Sequence, residues 1–208
     1  MTDTPTLLDR LLDVIEFDLA PLSRKRVGEG DKIFGAAILR KSDLSLVVAE
    51  TNHETSNPLW HGEIHAIKRF FELPPESRPD SKDCLFLATH EPCSLCLSGI
   101  TWSGFDNFYY LFSYKDTRDA FDIPHDIRIL REVYAVADPD REASAPGRDY
   151  YNRHNAFFDS HDITRMIAGL DRGTKERLTG RVDDLTALYA DLSAIYQRDK
   201  GRKGIPLA

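Results

Sequence analysis

The sequence predicts an α/β fold, a three-layer α/β/α sandwich in which helices cover both faces of a mixed five-stranded sheet. Apolar runs of strand length alternate with segments whose apolar residues follow helical spacing. The helical segments between the later strands, of about ten residues, are long enough for the crossovers that parallel strands require. The first two predicted strands are separated only by a short turn, and we therefore expect them to form an antiparallel hairpin.

The elements of the first part of the chain follow from apolar spacing and from turn residues. Apolar residues at 7, 8, 11, 12, 15 and 19 recur at helical spacing and predict a first helix over 7–19. Apolar runs at 33–39 and 44–49 predict two strands, and a short polar turn joins them. Apolar positions 64, 67, 70 and 71 fit one face of a helix over 61–71, which a pair of prolines ends.

The middle of the chain continues the alternation of strand and helix. A buried strand is predicted at 85–88, a helix at 93–102 and a further strand at 108–112. Helical spacing then leads to a fifth strand at 133–137. Parallel strands of this kind are buried on both sides, which is why the sandwich is expected to have three layers.

The last third of the chain is predicted to extend the same domain. A loop with turn residues at 143–151 precedes two helices, at 162–170 and 183–196. We therefore divide the chain into a core over 1–142 and a C-terminal loop and helical extension over 143–208.

Composition limits the class of protein before any motif is considered. The 208 residues, with 41% hydrophobic and 29% charged residues, are typical of one soluble globular domain. The formal net charge of −7 argues against a surface that binds polyanions without sequence preference. No apolar run approaches the roughly 20 residues that a membrane helix needs, and the N-terminus lacks a signal-peptide pattern. We expect a cytoplasmic protein that has no membrane partner.

Three residues at the starts of two predicted helices supply metal ligands. His61 opens one helix, while Cys93 and Cys96 open another in a C-x-x-C pattern. Imidazole nitrogen and two thiolates form a ligand set that zinc prefers, and three protein ligands leave the fourth tetrahedral position open for water. Cys96 lies one helical turn after Cys93, so that both sulfurs can reach one ion. The sequence therefore predicts one catalytic zinc ion per chain.

Glu63 is the predicted catalytic residue. It lies two residues after His61, in the first turn of the predicted helix, where its carboxylate can lean over the open position of the metal. A carboxylate beside a zinc-activated water can take the proton of that water and pass it to a leaving amine. This arrangement indicates hydrolysis.

The H-x-E at 61–63 and the P-C-x-x-C at 92–96 resemble the zinc-dependent cytidine and deoxycytidylate deaminase superfamily. The resemblance covers about residues 30–135. Phe34, in F-G-A of the first strand, and Asn52, after the second strand, also match the pattern of that superfamily. The sequence around the cysteines is similar to the branch that contains guanine deaminases and tRNA adenosine deaminases. Within this branch Gly62 stands where alanine is usual, and Trp60 and Ile33 also depart from the branch.

The resemblance implies a cytidine deaminase-like fold, a mechanism and a set of substrate contacts. Zinc-bound hydroxide would attack the amine-bearing ring carbon, while Glu63 delivers protons to the ring nitrogen and to departing ammonia. It also implies a homodimer. Phe34, Asn52 and Gly62 are predicted to bind the substrate, and the further candidates are Trp60, Glu91 and Tyr114.

Several alternatives remain open at this point. The favoured substrate is a small nucleobase or nucleoside, guanine or another aminopurine first and a cytosine-type pyrimidine second. A tRNA adenosine deaminase would need a basic groove, for which only 24–26 and 198–203 offer clustered basic residues. A C-x-x-C thiol oxidoreductase is a more remote alternative, because it would leave His61 and Glu63 without a role. The aromatic and polar segment 150–155 is either a lid over the pocket or a surface loop.

Overall fold

The computed structural model describes residues 3–132, 151, 153–155 and 157–199. A π-helical turn (Val14–Leu19) joins the first two helices, and a 3₁₀ turn (Ser81–Asp83) precedes the third strand. The helices are α1 (Thr4–Asp13), α2 (Ala20–Glu29), α3 (Gly62–Glu72), α4 (Ser94–Trp102), α5 (Tyr114–Asp119), α6 (His125–Glu132), α7 (Ile163–Ala168) and α8 (Arg172–Asp199). The strands are β1 (Gly35–Arg40), β2 (Leu46–Thr51), β3 (Cys84–His90), β4 (Asn107–Phe112) and β5 (Asp159–Asp162).

The five strands form one mixed sheet in the order β2-β1-β3-β4-β5. β1 is antiparallel to both β2 and β3, whereas β3, β4 and β5 run parallel to one another. The predicted hairpin is therefore confirmed, as is the mixed character of the sheet. A register shift between Ile38 and Leu39 marks an irregularity in the hairpin pairing.

Alternating strand residues pack on opposite faces of the sheet and create two cores. Ile38 and Phe86 belong to one cluster with Phe70 of α3. Leu39 and Leu87 belong to the other cluster, which also contains buried residues of α1, α2, α7 and α8. Since successive side chains of a strand point to opposite faces, this division places helices on both sides. The predicted three-layer α/β/α sandwich is confirmed.

The N-terminal helical segment is longer than the predicted helix over 7–19. It continues through the π-helical turn into α2 and ends only at Gly30, which has the left-handed φ of 107°. Pro21 explains the π-helical turn, because proline has no N–H to donate to the preceding turn and its ring clashes with the carbonyl four residues earlier. A single wider turn, in which the Ala20 N–H bonds to the Ile15 carbonyl, lets the chain remain helical.

The fifth strand of the described sheet differs from the predicted one. Asp159–Asp162 pairs in parallel with β4, and its partly exposed D-S-H-D sequence lacks the apolar residues that would predict a buried strand. The structure thus places a strand just before the predicted helix at 162–170. The strand predicted at 133–137 and the division predicted at 142–143 lie outside the described residues.

α8 is longer than the predicted helix at 183–196 and packs along the N-terminal helices. Leu178, Leu185 and Leu192 recur every seven residues and are buried against the core shared with α1 and α2. Near its end, Ser193 donates a hydrogen bond to the carbonyl of Phe121 over 2.6 Å. Among the helices in the described ranges, none combines the length and apolar character needed to cross a membrane.

Candidate metal centre and active-site pocket

Two helix N-termini on the same side of the sheet bring the predicted ligands together. His61 and Cys93 are the N-cap residues of α3 and α4, and both have extended backbone conformations. Cys96 follows one turn into α4. Because an N-cap residue lies half outside its helix, its side chain can turn across the helix end instead of along the helix face. The two loops that follow β2 and β3 thus deliver three donors to one point.

The three donor atoms fit a tetrahedral zinc ion. The Cys93 and Cys96 sulfurs are 3.5 Å apart, and His61 Nδ1 lies 3.5 Å from the first and 3.7 Å from the second. Zinc bonds of about 2.3 Å to sulfur and about 2.0 Å to nitrogen place tetrahedral ligands about 3.8 Å apart for two sulfurs and about 3.5 Å apart for sulfur and nitrogen. The observed triangle is within a few tenths of an ångström of both values. His61, Cys93 and Cys96 are thus placed to bind a metal ion.

Glu63 lies at this centre. Its side chain is buried, and its Oε2 is 3.3 Å from the sulfur of Cys96. Burial raises the pKa of Glu63 to about 7, and the negative charge of Cys93 acts in the same direction. A carboxyl group of this pKa exchanges protons readily near neutral pH.

A small cavity of about 280 Å³ opens onto the metal centre, with His61 and Cys93 in its wall. Its polar side chains include Lys32, Glu54 and Asp126. Most of its accessible wall is apolar, which suits the faces of a flat aromatic ring. The apolar side chains are Phe34, Pro58, Leu59, Leu95, Ile123 and Ile129.

Comparison with known proteins agrees with this geometry. Residues 17–112 match the family model described as the cytidine and deoxycytidylate deaminase zinc-binding region. This part of the chain is therefore similar to the cytidine and deoxycytidylate deaminases. The family match and the three placed donors confirm zinc as the predicted cofactor.

Several proteins that this chain resembles are guanine deaminases. The guanine deaminase of Bacillus subtilis strain 168 is 30% identical over 88 residues, which are 42% of this chain and 54% of that protein. The chain thus matches about half the length of this curated relative. The X-ray structure of a Bacillus subtilis guanine deaminase has a TM-score of 0.48 at 22% identity, covering 74% of this chain and 88% of the other. A guanine deaminase structure from Nitrosomonas europaea has a TM-score of 0.45 at 16% identity, with 81% of each chain covered.

A chain of contacts connects the start of α3 to the pocket. The Gly62 N–H donates to Asn52 Oδ1 over 2.6 Å, and Asn52 Nδ2 donates to Glu54 Oε2 over 2.8 Å. Glu54 Oε1 in turn accepts from Lys32 Nζ over 2.7 Å and lies 3.8 Å from His61 Nε2. Asn52 is completely buried and does not line the described cavity. Glu54 and Lys32, which sequence reasoning missed, line it instead.

Of the predicted substrate-binding residues, Phe34 lines the cavity and the other five lie elsewhere. Gly62 is behind the wall, where its N–H is already bound to Asn52. Trp60 stacks on the ring of His65, with ring centroids 5.8 Å apart. The Tyr114 hydroxyl donates to the Pro92 carbonyl, so this ring supports the loop that carries Cys93 instead of facing the cavity.

Glu91 also supports the cysteine loop from behind. Its carboxylate accepts from the Tyr114 N–H over 3.0 Å and from the Tyr151 hydroxyl over 2.9 Å, and Arg153 pairs with it at 3.1 Å. In the segment 150–155, only 151 and 153–155 are described. Neither Tyr151 nor Arg153 lines the cavity, and both bind Glu91 on the far side of the loop.

Proposed function

We propose that this protein hydrolytically deaminates a small nucleobase or nucleoside, with guanine or a related aminopurine favoured and a cytosine-type pyrimidine second. One observation carries the proposal: the donor triangle of His61, Cys93 and Cys96, with the buried carboxylate of Glu63 in contact with Cys96, borders a largely apolar cavity whose wall includes His61 and Cys93. A site of this kind can activate water, exchange protons and hold an aromatic ring.

The residues of the site divide this chemistry between them. His61, Cys93 and Cys96 would hold the zinc ion, which when bound lowers the pKa of a coordinated water to about 7. Glu63 would accept one proton of the attacking water and donate it to a ring nitrogen, and would then carry the second proton from the added hydroxyl group to the departing amine. Deamination balances as addition of one water and release of one ammonia, with a carbonyl left in place of the amine.

The size and walls of the cavity support a small neutral substrate. A space of about 280 Å³ lies at the lower end of the range for small-molecule pockets. Phe34 and Ile123 present apolar surface to it. The relative that is 30% identical over the matched segment is a guanine deaminase, which supports an aminopurine.

The test is ammonia release by the zinc-loaded protein from guanine, other aminopurines, cytosine and their nucleosides. Glu63→Gln serves as the blank, because it keeps the shape of the side chain but removes its proton chemistry. Glu72→Gln is the matched control, since it makes the same change at a surface carboxylate of α3 that pairs with Lys68 and Arg69. We expect turnover by the wild type and by the control, and loss of about 10²–10⁴-fold in the blank.

Two results would contradict the proposal. One is equal activity in Glu63→Gln and in the wild type while zinc stays bound. The other is that no base or nucleoside yields ammonia although zinc is fully bound. That result would favour a macromolecular substrate, with tRNA as the first candidate.

A further inference from the structure

The cavity contains a buried ion pair that the catalytic chemistry does not use. Lys32 and Glu54 are 6% and 3% exposed, and Nζ of the first lies 2.7 Å from Oε1 of the second. Burying two charges is costly unless they are paired and hydrogen-bonded. Such a pair at the wall of a pocket therefore needs a reason beyond stability, because apolar side chains would fill the same space at less cost.

The two oxygens of Glu54 have different surroundings. Oε2 is held from behind by Asn52 Nδ2 at 2.8 Å and by the Lys32 backbone N–H at 3.3 Å. Oε1 lies 2.7 Å from Lys32 Nζ and 3.8 Å from Nε2 of His61, which is too far for a hydrogen bond to the imidazole. A carboxylate oxygen accepts about two hydrogen bonds, so Oε1 retains one free direction after Lys32 has donated to it.

Lys32 provides the complementary group. Its ammonium has three N–H donors, and Glu54 is the one side-chain acceptor found for it among the residues that the structure describes. Because the two charges cancel, the pair offers an acceptor beside a donor without a net charge. It is thus suited to a neutral polar edge and not to a phosphate, which an unpaired lysine would favour.

We propose that Lys32 and Glu54 determine substrate specificity by binding a lactam edge, in which a ring N–H stands next to a carbonyl. Glu54 Oε1 would accept from the ring N–H, and Lys32 Nζ would donate to the carbonyl oxygen. The inference rests on the proposed deaminase function and narrows its substrate to amine-bearing heterocycles with this edge.

The position of the pair beside His61 agrees with the geometry of such a ring. In guanine, the amine-bearing carbon is flanked by two nitrogens: one lacks hydrogen, and the other carries the N–H of the lactam. Glu63 would serve the first nitrogen and Glu54 the second. In cytosine the second neighbour is a carbon, which gives Glu54 nothing to accept.

The test compares guanine with 2-aminopurine, which has the same amine at the same carbon but lacks the lactam N–H and carbonyl. Ammonia release gives kcat and KM for both bases, and calorimetry in the zinc-loaded Glu63→Gln background gives binding without turnover. We expect the wild type to prefer guanine by roughly a hundredfold or more, because a site built for hydrogen bonds rejects an analogue that cannot make them. Glu54→Gln and Lys32→Met should each reduce the preference to less than about tenfold.

Asp31→Asn is the matched control. Asp31 is also buried and joins the same two loops, accepting from the Thr55 N–H over 2.7 Å and pairing with Arg26, but it does not line the cavity. It should lower stability and leave the preference unchanged. Asp126→Asn tests the other carboxylate in the wall.

Three results would overturn the inference: no preference in the wild type, an unchanged preference in folded Glu54→Gln, or loss of preference in Asp126→Asn in place of Glu54→Gln. The failure of the proposed function is distinct from these. If no base releases ammonia, the binding preference in the Glu63→Gln background still decides whether the pair selects the lactam edge.

Discussion

Gly62 lies where the backbone of β1 comes closest to the first turn of α3, and Gly62→Ala tests this contact. A Cβ atom there would lie 2.9 Å from Gly35 Cα and 2.9 Å from the Phe34 carbonyl oxygen. Both are backbone atoms, so the strand and the helix must separate. Overpacking of this kind costs about 1–3 kcal/mol. Alanine in place of glycine at a helical position raises the free energy of unfolding by about 0.4–1 kcal/mol. We therefore expect the free energy of unfolding to fall by about 1–2 kcal/mol in total.

The assay is thermal unfolding of the zinc-loaded protein, together with zinc affinity. In a chain of this size, the expected loss lowers Tm by about 2–8 °C. Because Gly62 lies between His61 and Glu63, the same displacement should weaken zinc binding. Gly180→Ala is the matched control: this exposed residue of α8 has no atom within 4 Å of an added Cβ, and the change should raise Tm.

The reasoning is refuted if Gly62→Ala keeps or raises Tm, as Gly180→Ala should. That outcome would mean that the approach of β1 to α3 is looser than 2.9 Å. The deaminases that the sequence resembles usually have alanine at this position. In this chain the close backbone contact leaves no room for a Cβ atom, which explains why glycine stands here.

Three further predictions concern the surroundings of the site. Ser193→Ala removes the shorter of the two side-chain hydrogen bonds to the Phe121 carbonyl, near the cavity wall (the other comes from Gln197), and should raise KM about fivefold, corresponding to about 1 kcal/mol. Tyr151→Phe removes a hydrogen bond to buried Glu91 and should lower Tm by about 2–4 °C without changing KM; a raised KM would mean that Tyr151 covers the cavity. Zinc binding at pH 7 should release at least two protons, those of His61 and Cys96, measured by calorimetry in buffers of different ionisation enthalpy; release of none or one would contradict this.

The proton count follows from the ligands before zinc binds. Burial lowers the pKa of His61, but the hydrogen bond and charge of Cys93 outweigh it and raise the value to about 9. The hydrogen bond from Cys96 lowers the pKa of Cys93 well below 9, whereas burial raises that of Cys96 well above 9. At pH 7, His61 and Cys96 therefore carry protons that zinc must displace, and the affinity for zinc should rise with pH.

Much of the fold could be predicted because the sequence pattern and the packing agree. β1, β3 and β4 are buried on both faces, and their near-continuous apolar runs reflect this. β5 could not be predicted, because its D-S-H-D sequence has no strand pattern and pairing with β4 alone makes it a strand. α2 was missed for a different reason: Pro21 normally ends a helix, and a π-helical turn absorbs it here.

The candidate metal centre could be predicted because its chemistry permits few residue types, whereas the pocket wall could not. Lys32 and Glu54 are two charged residues in loops, a pattern that usually indicates solvent exposure. Their burial depends on a contact between positions 22 residues apart, which local sequence does not reveal. The predicted contact Asn52 lies only two residues from Glu54, and the sequence gives no sign that the longer side chain reaches past it into the cavity.

The position of Asn52 away from the cavity has a physical cause. Gly62 allows β1 to approach α3 closely, and Asn52 fills the space behind them, with its carbonyl oxygen on the Gly62 N–H and its amide on Glu54. Each end of its side chain already makes a hydrogen bond and the side chain is completely buried, so that it presents no group to the cavity in this arrangement. The longer side chain of Glu54 extends beyond Asn52 to the cavity wall. There Lys32 neutralises the charge of the Glu54 carboxylate. Gly62 and the Lys32–Glu54 ion pair are therefore connected through Asn52. Together they join the start of the metal-binding helix to the cavity wall that the substrate would contact.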